Sequence, residues 1–360
     1  MKALIHENVP LAPLTTFGIG GPARYFVAAP DEHAVLESIR WAVDKNVPLF
    51  ILGGGANLLV ADAGFSGLVI KVGIKGIDLT TDNGKTIVRA GAGEEWDCLV
   101  ALAVERGLAG IECLSGIPGS VGGTPIQNVG AYGQEVSEVL VSVRAYDRQK
   151  DQVKDLSRDE CGFTYRTSVF NTVAKGRYVV FHVTFALTLN GAPVLRYPDV
   201  LREFQDEKGI PTLQQIRAAV RRIRLRKAML LIEGDPDCRS AGSFFRNPLM
   251  TEAQFAKLQS LAGPNVPRYP VDTAPGSNAS GKIKTAAAWL IEQAGFSRGY
   301  SRGPVGLSTK HTLALVNKGG ATAKDVLLLA DEIRLRVRDR FGVELVLEPE
   351  LLGFSNGVVI

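Results

Sequence analysis

The chain has 360 residues, 46% of them hydrophobic and 22% charged, which is enough apolar side chain for a sizeable core and, at roughly 150 residues per domain, for two or three domains. A net charge of +4 is too mild to point to nucleic acid, and Cys98, Cys113, Cys161 and Cys238 lie too far apart for a zinc knuckle or a disulfide framework. No apolar run reaches the roughly 20 residues that span a bilayer, and the opening stretch lacks the layout of a signal peptide, so the expectation is a cytoplasmic chain with reduced thiols.

Glycines crowd the first third between short apolar runs, the layout of tight turns joining short strands. Strands are predicted at Leu49–Leu52, Leu68–Val72 and Thr86–Ala90. Between them, Asp31–Asn46 opens on a Pro-Asp signal and Glu94–Gly107 carries acids in its first turn and glycine at its end, so both are predicted helices. Val139–Leu156 alternates like a hairpin, and Arg177–Asn190 has the period-two rhythm of a strand with one buried face. At Gly191 the sequence turns polar and proline-punctuated, as a linker or a loop over a site would. The expected division is therefore residues 1–190, a linker or lid at 191–212, and a second domain at 213–360. The second domain should hold a basic helix at Leu213–Leu230, a long loop Glu233–Arg246, helices at Thr251–Leu261 and Lys284–Ala294, a strand Thr312–Asn317, a helix Thr322–Phe341 and a final strand Glu344–Phe354. The class is α+β, ending in a smaller α/β unit, with no internal repeat.

Three glycine turns could offer main-chain N–H groups to phosphate: Gly18-Ile-Gly-Gly21, Gly53-Gly-Gly-Ala-Asn57 after a strand, and Pro118-Gly-Ser-Val-Gly-Gly123. The first reads GIGGPA, but a proline in its fifth position and the strand-like RYFVAA after it exclude a Rossmann fingerprint. Singly, each reads as a structural turn. Three in one domain, with Gln127-Asn-Val-Gly-Ala-Tyr132 beside the third, point to a large phosphate-bearing cofactor.

The ordered series Thr16-Phe-Gly-Ile19, Leu52-Gly-Gly-Gly-Ala-Asn57, Gly91-Ala-Gly93, Gly116-Ile-Pro-Gly-Ser-Val-Gly-Gly123, Pro125-Ile-Gln-Asn-Val-Gly-Ala-Tyr-Gly133, Tyr165-Arg166, Ala241-Gly-Ser-Phe-Phe-Arg-Asn-Pro248 and Leu347-Glu-Pro-Glu350 resembles the UDP-N-acetylenolpyruvoylglucosamine reductase family. The resemblance runs from about residue 10 to residue 354. It implies an FAD-binding domain of the vanillyl-alcohol-oxidase (PCMH) type followed by a substrate-binding domain. It also implies a monomer that uses NADPH to reduce UDP-N-acetylglucosamine enolpyruvate to UDP-N-acetylmuramate for peptidoglycan; on the residues alone, no nucleic-acid or membrane partner is expected, and His6, His33 and His182 show no spacing for a metal. No histidine stands in the loop where wider relatives attach FAD covalently, so FAD is expected to dissociate, its pyrophosphate on Gly53, Gly54, Gly55, Ala56, Asn57, Gly119, Ser120, Gly122 and Gly123, with Asn128 and Tyr132 alongside.

By the same resemblance Arg166 and Glu350 stabilise the enolate that forms when hydride reaches the vinyl carbon, and Ser243 donates the proton to the adjacent carbon. Locally, Tyr165-Arg166 also reads as a surface stack, Glu350 as a solvated strand residue alternating with Glu348, and Ser243 as a turn or helix cap. Lys227 is placed at the substrate diphosphate, Asn247 near the uridine end and Tyr197 closing over it, in the subgroup that keeps a tyrosine loop. Most of the other arginines of Arg217–Lys227 read as the solvated face of an amphipathic helix, and without interleaved aromatics they do not make a nucleic-acid module. The stretch Ala228–Ser240 departs from the short proline-rich link expected there, and the histidine of Lys310-His311 reads as structural. Two alternatives stay open: an oxygen-using flavin enzyme of the same superfamily, and a nucleotide-sugar or nucleic-acid binder that has lost its chemistry.

Overall fold

The computed structural model describes residues 4–271 and 281–354. The chain divides into two compact units and passes between them more than once. The first unit takes Tyr25–Gly54 and Gly67–Leu230 with the short N-terminal piece ending at Glu7, and the second takes Asn8–Arg24, Gly55–Ser66 and the described residues from Leu231 onward.

An antiparallel sheet dominates the first unit, in the order Gln152–Ser157, Leu140–Asp147, Tyr178–Leu189, Lys85–Gly91, Ile77–Asp82. The predicted hairpin is its edge, with Ser142 opposite Ser157 and Asp147 opposite Gln152. Leu49–Leu52 pairs in parallel with Leu68–Lys71 in a second sheet. Helix α1 (Glu32–Asp44) starts where the Asp31 carboxylate accepts the Ala34 N–H at 2.7 Å, and it buries Val35, Ile39 and Ala42 on one face. Helix α2 (Trp96–Glu105) buries Trp96, whose ring lies 5.8 Å from that of Phe185, against the sheet.

Two more helices complete this unit: α3 (Pro198–Glu203), inside the expected linker, and α4 (Leu213–Arg226). Ile216, Val220 and Ile223 of α4 form a satellite core with Cys113 and Val200, and Tyr132, Leu195 and Phe204 pack against it. Across the same face Asp97 receives Arg217 at 2.5 Å and Arg221 at 2.6 Å. Burial alone would push the Asp97 carboxyl up; the Arg217 bonds, the Gly116 N–H and Arg221 outweigh it and hold the group below its ordinary value. These contacts are why the compact units part at Leu230 and not at Gly191, and why the basic helix belongs with the first unit. The helix also stops at Arg226, four residues short of the expected end, since Ala228 takes a left-handed φ of 52°.

The second unit has a core of Phe17, Leu59, Phe244, Phe245, Leu290, Ile291, Leu307, Ile333 and Val337. Its helices are α5 (Glu252–Ala262), α6 (Ala287–Gln293) and α7 (Ala323–Phe341). Thr322 and Asp325 form a capping box at the start of α7, and Asp62 accepts the Ala323 and Lys324 N–H groups at 2.7 and 3.1 Å, a carboxylate set on the positive end of the helix. Gly342, at φ 67°, ends it. Leu58–Val60 pairs in parallel with Glu350–Leu352. The expected final strand Glu344–Phe354 is thus shorter: Pro349 has no N–H to continue a ladder, and before it the segment bridges Phe245 through Leu347. The helix expected from Lys284 begins at Ala287, because Ile283–Lys284 pairs with Leu249–Met250. The strand expected from Thr312 is Leu315–Asn317.

Candidate functional site

In the first unit the loop after strand Leu49–Leu52 meets the loop 119–120 backbone to backbone. A Cβ on Gly54 would stand 2.6 Å from Gly119 Cα, and one on Gly53 would stand 2.7 Å from Ser120 Oγ. Glycine is therefore obligatory at Gly54, where the atoms in the way are main chain. The N–H groups of Gly53, Gly54, Gly119 and Ser120 donate to no acceptor among the described residues, and the buried Ser120 Oγ is also without a partner. Buried or close-packed donors left unmet are costly, and a set converging from two glycine loops suits an anion such as a pyrophosphate. Gly122 and Gly123 depart from expectation: their N–H groups go to Ala92 O at 2.9 Å and Ser120 O at 3.0 Å, so they shape the turn and offer nothing to a phosphate. A Cβ at Gly122 would meet that of Ala92 at 2.6 Å.

Three expected site residues of this unit hold left-handed backbone: Asn128 at φ 47°, Tyr132 at 50° and Arg166 at 57°. For non-glycine residues this costs roughly 1–2 kcal/mol each, a strain typical of functional loops. The Asn128 side chain, 1% exposed, donates to Glu135 at 2.7 Å and Thr164 O at 3.2 Å and accepts from Ser137 N at 3.1 Å. It is spent inside the loop, so its expected contact to a cofactor is confined to its backbone. The Arg166 guanidinium donates to Gly130 O at 2.8 Å and lies 5.4 Å from the Tyr165 ring centroid. Asn171 donates to the Arg166 carbonyl at 3.1 Å, fixing the turn from which the fork projects.

Tyr132, Tyr197 and Lys227 come together. The two rings meet edge to face at 5.5 Å, and the Lys227 ammonium lies 5.9 Å from the Tyr132 centroid. Lys227 also donates to Asp199 Oδ2 at 2.6 Å. Burial pushes the Asp199 carboxyl up, and the bonds from Lys227 and Arg202 outweigh it, holding the group below its usual range. Asp199 and the buried Arg224 are the members of this cluster that sequence reasoning missed. Most arginines of this helix were expected on a solvated face; Arg224 is not among those, being 8% exposed and donating to Gly116 O at 3.1 Å and to Met229 O. The signal was its place one turn after Val220, on the apolar face. Burial lowers the readiness of its guanidinium to stay charged and pushes the Tyr132 phenol up.

In the second unit Gly55, at φ 65°, packs so that a Cβ would fall 1.9 Å from Leu14 O, and the N–H groups of Gly55 and Ala56 have no acceptor among the described residues. Asn57 joins this turn to the Glu350 segment: its side chain donates to Glu348 O at 3.1 Å, and its carbonyl accepts the Glu350 N–H at 3.0 Å. Phe245 bridges Leu347 in antiparallel sense; that register, continued, sets Ser243 level with Pro349, one residue before Glu350. The half-buried Ser243 hydroxyl has no hydrogen-bond partner among the described residues. Asn247 Oδ1 accepts the Ala287 N–H at 2.9 Å, capping α6 and leaving its amide NH₂ as the group it could offer.

Residues 23–157 match the family model described as "FAD binding domain", and residues 235–352 match "UDP-N-acetylenolpyruvoylglucosamine reductase, C-terminal domain". The UDP-N-acetylenolpyruvoylglucosamine reductase of Thermobifida fusca (strain YX) is 48% identical over 365 aligned positions, covering 99% of this chain and all of the relative. The chain belongs to the UDP-N-acetylenolpyruvoylglucosamine reductase family. A second reductase of that name, from Streptomyces coelicolor, is 46% identical across 97% of this chain and 90% of its own length. The crystal structure of UDP-N-acetylenolpyruvylglucosamine reductase (MurB) from Thermus caldophilus superposes with a TM-score of 0.65 at 26% identity, covering 97% of this chain and all of that one. The expected order, an FAD-binding domain and then a reductase-specific domain, holds, and the unmet donors of the glycine loops fit a flavin dinucleotide's pyrophosphate. Among the described residues no helix is long and apolar enough to cross a membrane.

Proposed function

We propose that this member of the reductase family uses NADPH to reduce UDP-N-acetylglucosamine enolpyruvate to UDP-N-acetylmuramate in the cytoplasm, acting as a monomer with dissociable FAD. The observation that supports the reading most is full-length identity of 48% to a reductase of that name. Bound FAD supplies the two-electron relay between the nicotinamide and the substrate's vinyl carbon; the chain supplies everything else. The N–H groups of Gly53, Gly54, Gly119 and Ser120, with those of Gly55 and Ala56, hold the pyrophosphate. The Lys227 ammonium takes the substrate diphosphate, Tyr197 covers it, and the Asn247 amide serves the uridine end.

The fixed charge and planar fork of Arg166 suit a carboxylate that gains enolate character, and Glu350 acts at the same acid group. The Ser243 hydroxyl, with no hydrogen-bond partner to give up among the described residues, passes its proton to the carbon beside the carboxylate and recovers one from water.

An anaerobic absorption spectrum tests the whole reading. Oxidised flavin should bleach with NADPH and return with the UDP-sugar enolpyruvate. Return with oxygen alone would favour an oxidase, and a protein that takes up no flavin would remove the cofactor assignment.

A further inference from the structure

Ser243 ends a stretch without regular secondary structure, but its main chain is pinned at intervals, all within the second unit. Asn317 N–H donates to Arg239 O at 2.9 Å, Thr16 Oγ1 donates to Ser240 O at 2.6 Å, and Phe244 N–H donates to Leu313 O at 2.8 Å. Gly242 N–H reaches back to Ser240 Oγ at 3.2 Å. The stretch begins in the turn Pro236–Cys238, where the Asp237 side chain is buried at 4% exposure. One oxygen, Asp237 Oδ2, accepts three bonds from the loop across from it: Ser308 Oγ at 3.1 Å, Thr309 N–H at 3.0 Å and Thr309 Oγ1 at 2.6 Å. Beside them Lys310 Nζ donates to Asp235 Oδ2 at 2.8 Å.

A carboxylate this buried is tolerated because its bonds are met, so the 235–239 turn and the 308–310 turn fix each other in place. Ser243, six residues on, is the hydroxyl in the stretch with no hydrogen-bond partner among the described residues.

We propose that Asp237 is a positioning residue for proton delivery: by locking to Ser308 and Thr309 it fixes the start of the segment that presents Ser243, and so sets the line along which the Ser243 proton leaves. The proposal rests on the reading of Ser243 as the acid. A displacement of the donor by about 1 Å is enough to cost about 10²-fold in rate.

The test separates the two half-reactions of the FAD-loaded protein by stopped flow, in Asp237→Ala, Asp237→Asn, Thr309→Val and Ser243→Ala. In Asp237→Ala, flavin reoxidation by the UDP-sugar enolpyruvate should slow by about 10²-fold, with a larger solvent deuterium isotope effect, while flavin reduction by NADPH keeps its rate. Asp237→Asn, which keeps an acceptor oxygen, should restore most of the loss, and Thr309→Val should fall between. Should Asp237→Ala fail to fold, Thr309→Val carries the same expectation in a chain that keeps the carboxylate. Equal slowing of both half-reactions, or reoxidation unchanged in Asp237→Ala or Thr309→Val while Ser243→Ala is slow, overturns the role of Asp237. Fast reoxidation in Ser243→Ala instead removes the acid assignment itself, and this inference with it.

Discussion

Arg166 combines two demands that few residues meet: a left-handed backbone at φ 57° and a guanidinium whose bond to Gly130 O holds its plane. Lysine keeps the charge and loses the fork. Arg166→Lys should therefore slow flavin reoxidation by substrate by about 10²-fold and leave flavin reduction by NADPH unchanged, as rapid-mixing absorbance would read. Asp147 makes a different kind of prediction. Its buried carboxyl accepts from Arg177, which is the chief reason it falls to about 2 in the folded chain. A group so lowered adds stability that is whole above the unfolded carboxylate range near pH 4, and loses it as the pH falls from about 4 to about 2. Urea melts across that window should show an acid-side loss that Asp147→Asn reduces without removing, since Asp97 and Asp199 are held low as well, the variant being less stable than the parent at neutral pH by about 2 kcal/mol.

At the scale of the element, the two glycine loops are the test of cofactor holding. Gly54→Ala puts a methyl group 2.6 Å from Gly119 Cα, a contact with main chain that no rotamer relieves, so the purified variant should carry far less FAD, measured as the 450 nm absorbance per protein chain. The same elements show how much was legible beforehand. Strand Leu49–Leu52 and helix α7 lay where periodicity and capping residues placed them, because those signals are local. The 191–212 stretch hid α3, whose six residues are too few for a periodic signal and are fixed by Val200 entering the α4 core. The candidate site residues were drawn from an ordered set of motifs; what was not legible is which atoms remain unmet. That Gly122 spends its N–H on Ala92 while Gly54 does not depends on two loops meeting, which no spacing encodes.

For the whole molecule, the division of the chain matters more than its length. The second unit needs Phe17, Ile19 and Leu59 in its core and Leu58–Val60 beside Glu350–Leu352, although the family model for its C-terminal domain begins only at residue 235. A fragment starting at Leu231 should therefore fail to melt cooperatively and be cut rapidly by protease, whereas the full chain resists; a stable, cooperative fragment would contradict the reading. The parallel pairing of Leu58 with Glu350 has a consequence for how the protein is made. A ribosome adding about 5–20 residues per second releases the early strand long before its partner exists. For the intervening interval Asn8–Arg24 and Gly55–Ser66 must wait with apolar faces uncovered, so the second unit can close only once Glu350–Leu352 has left the ribosome, and a slowed or stalled ribosome would lengthen the period in which chaperones, or neighbouring nascent chains, compete for those faces.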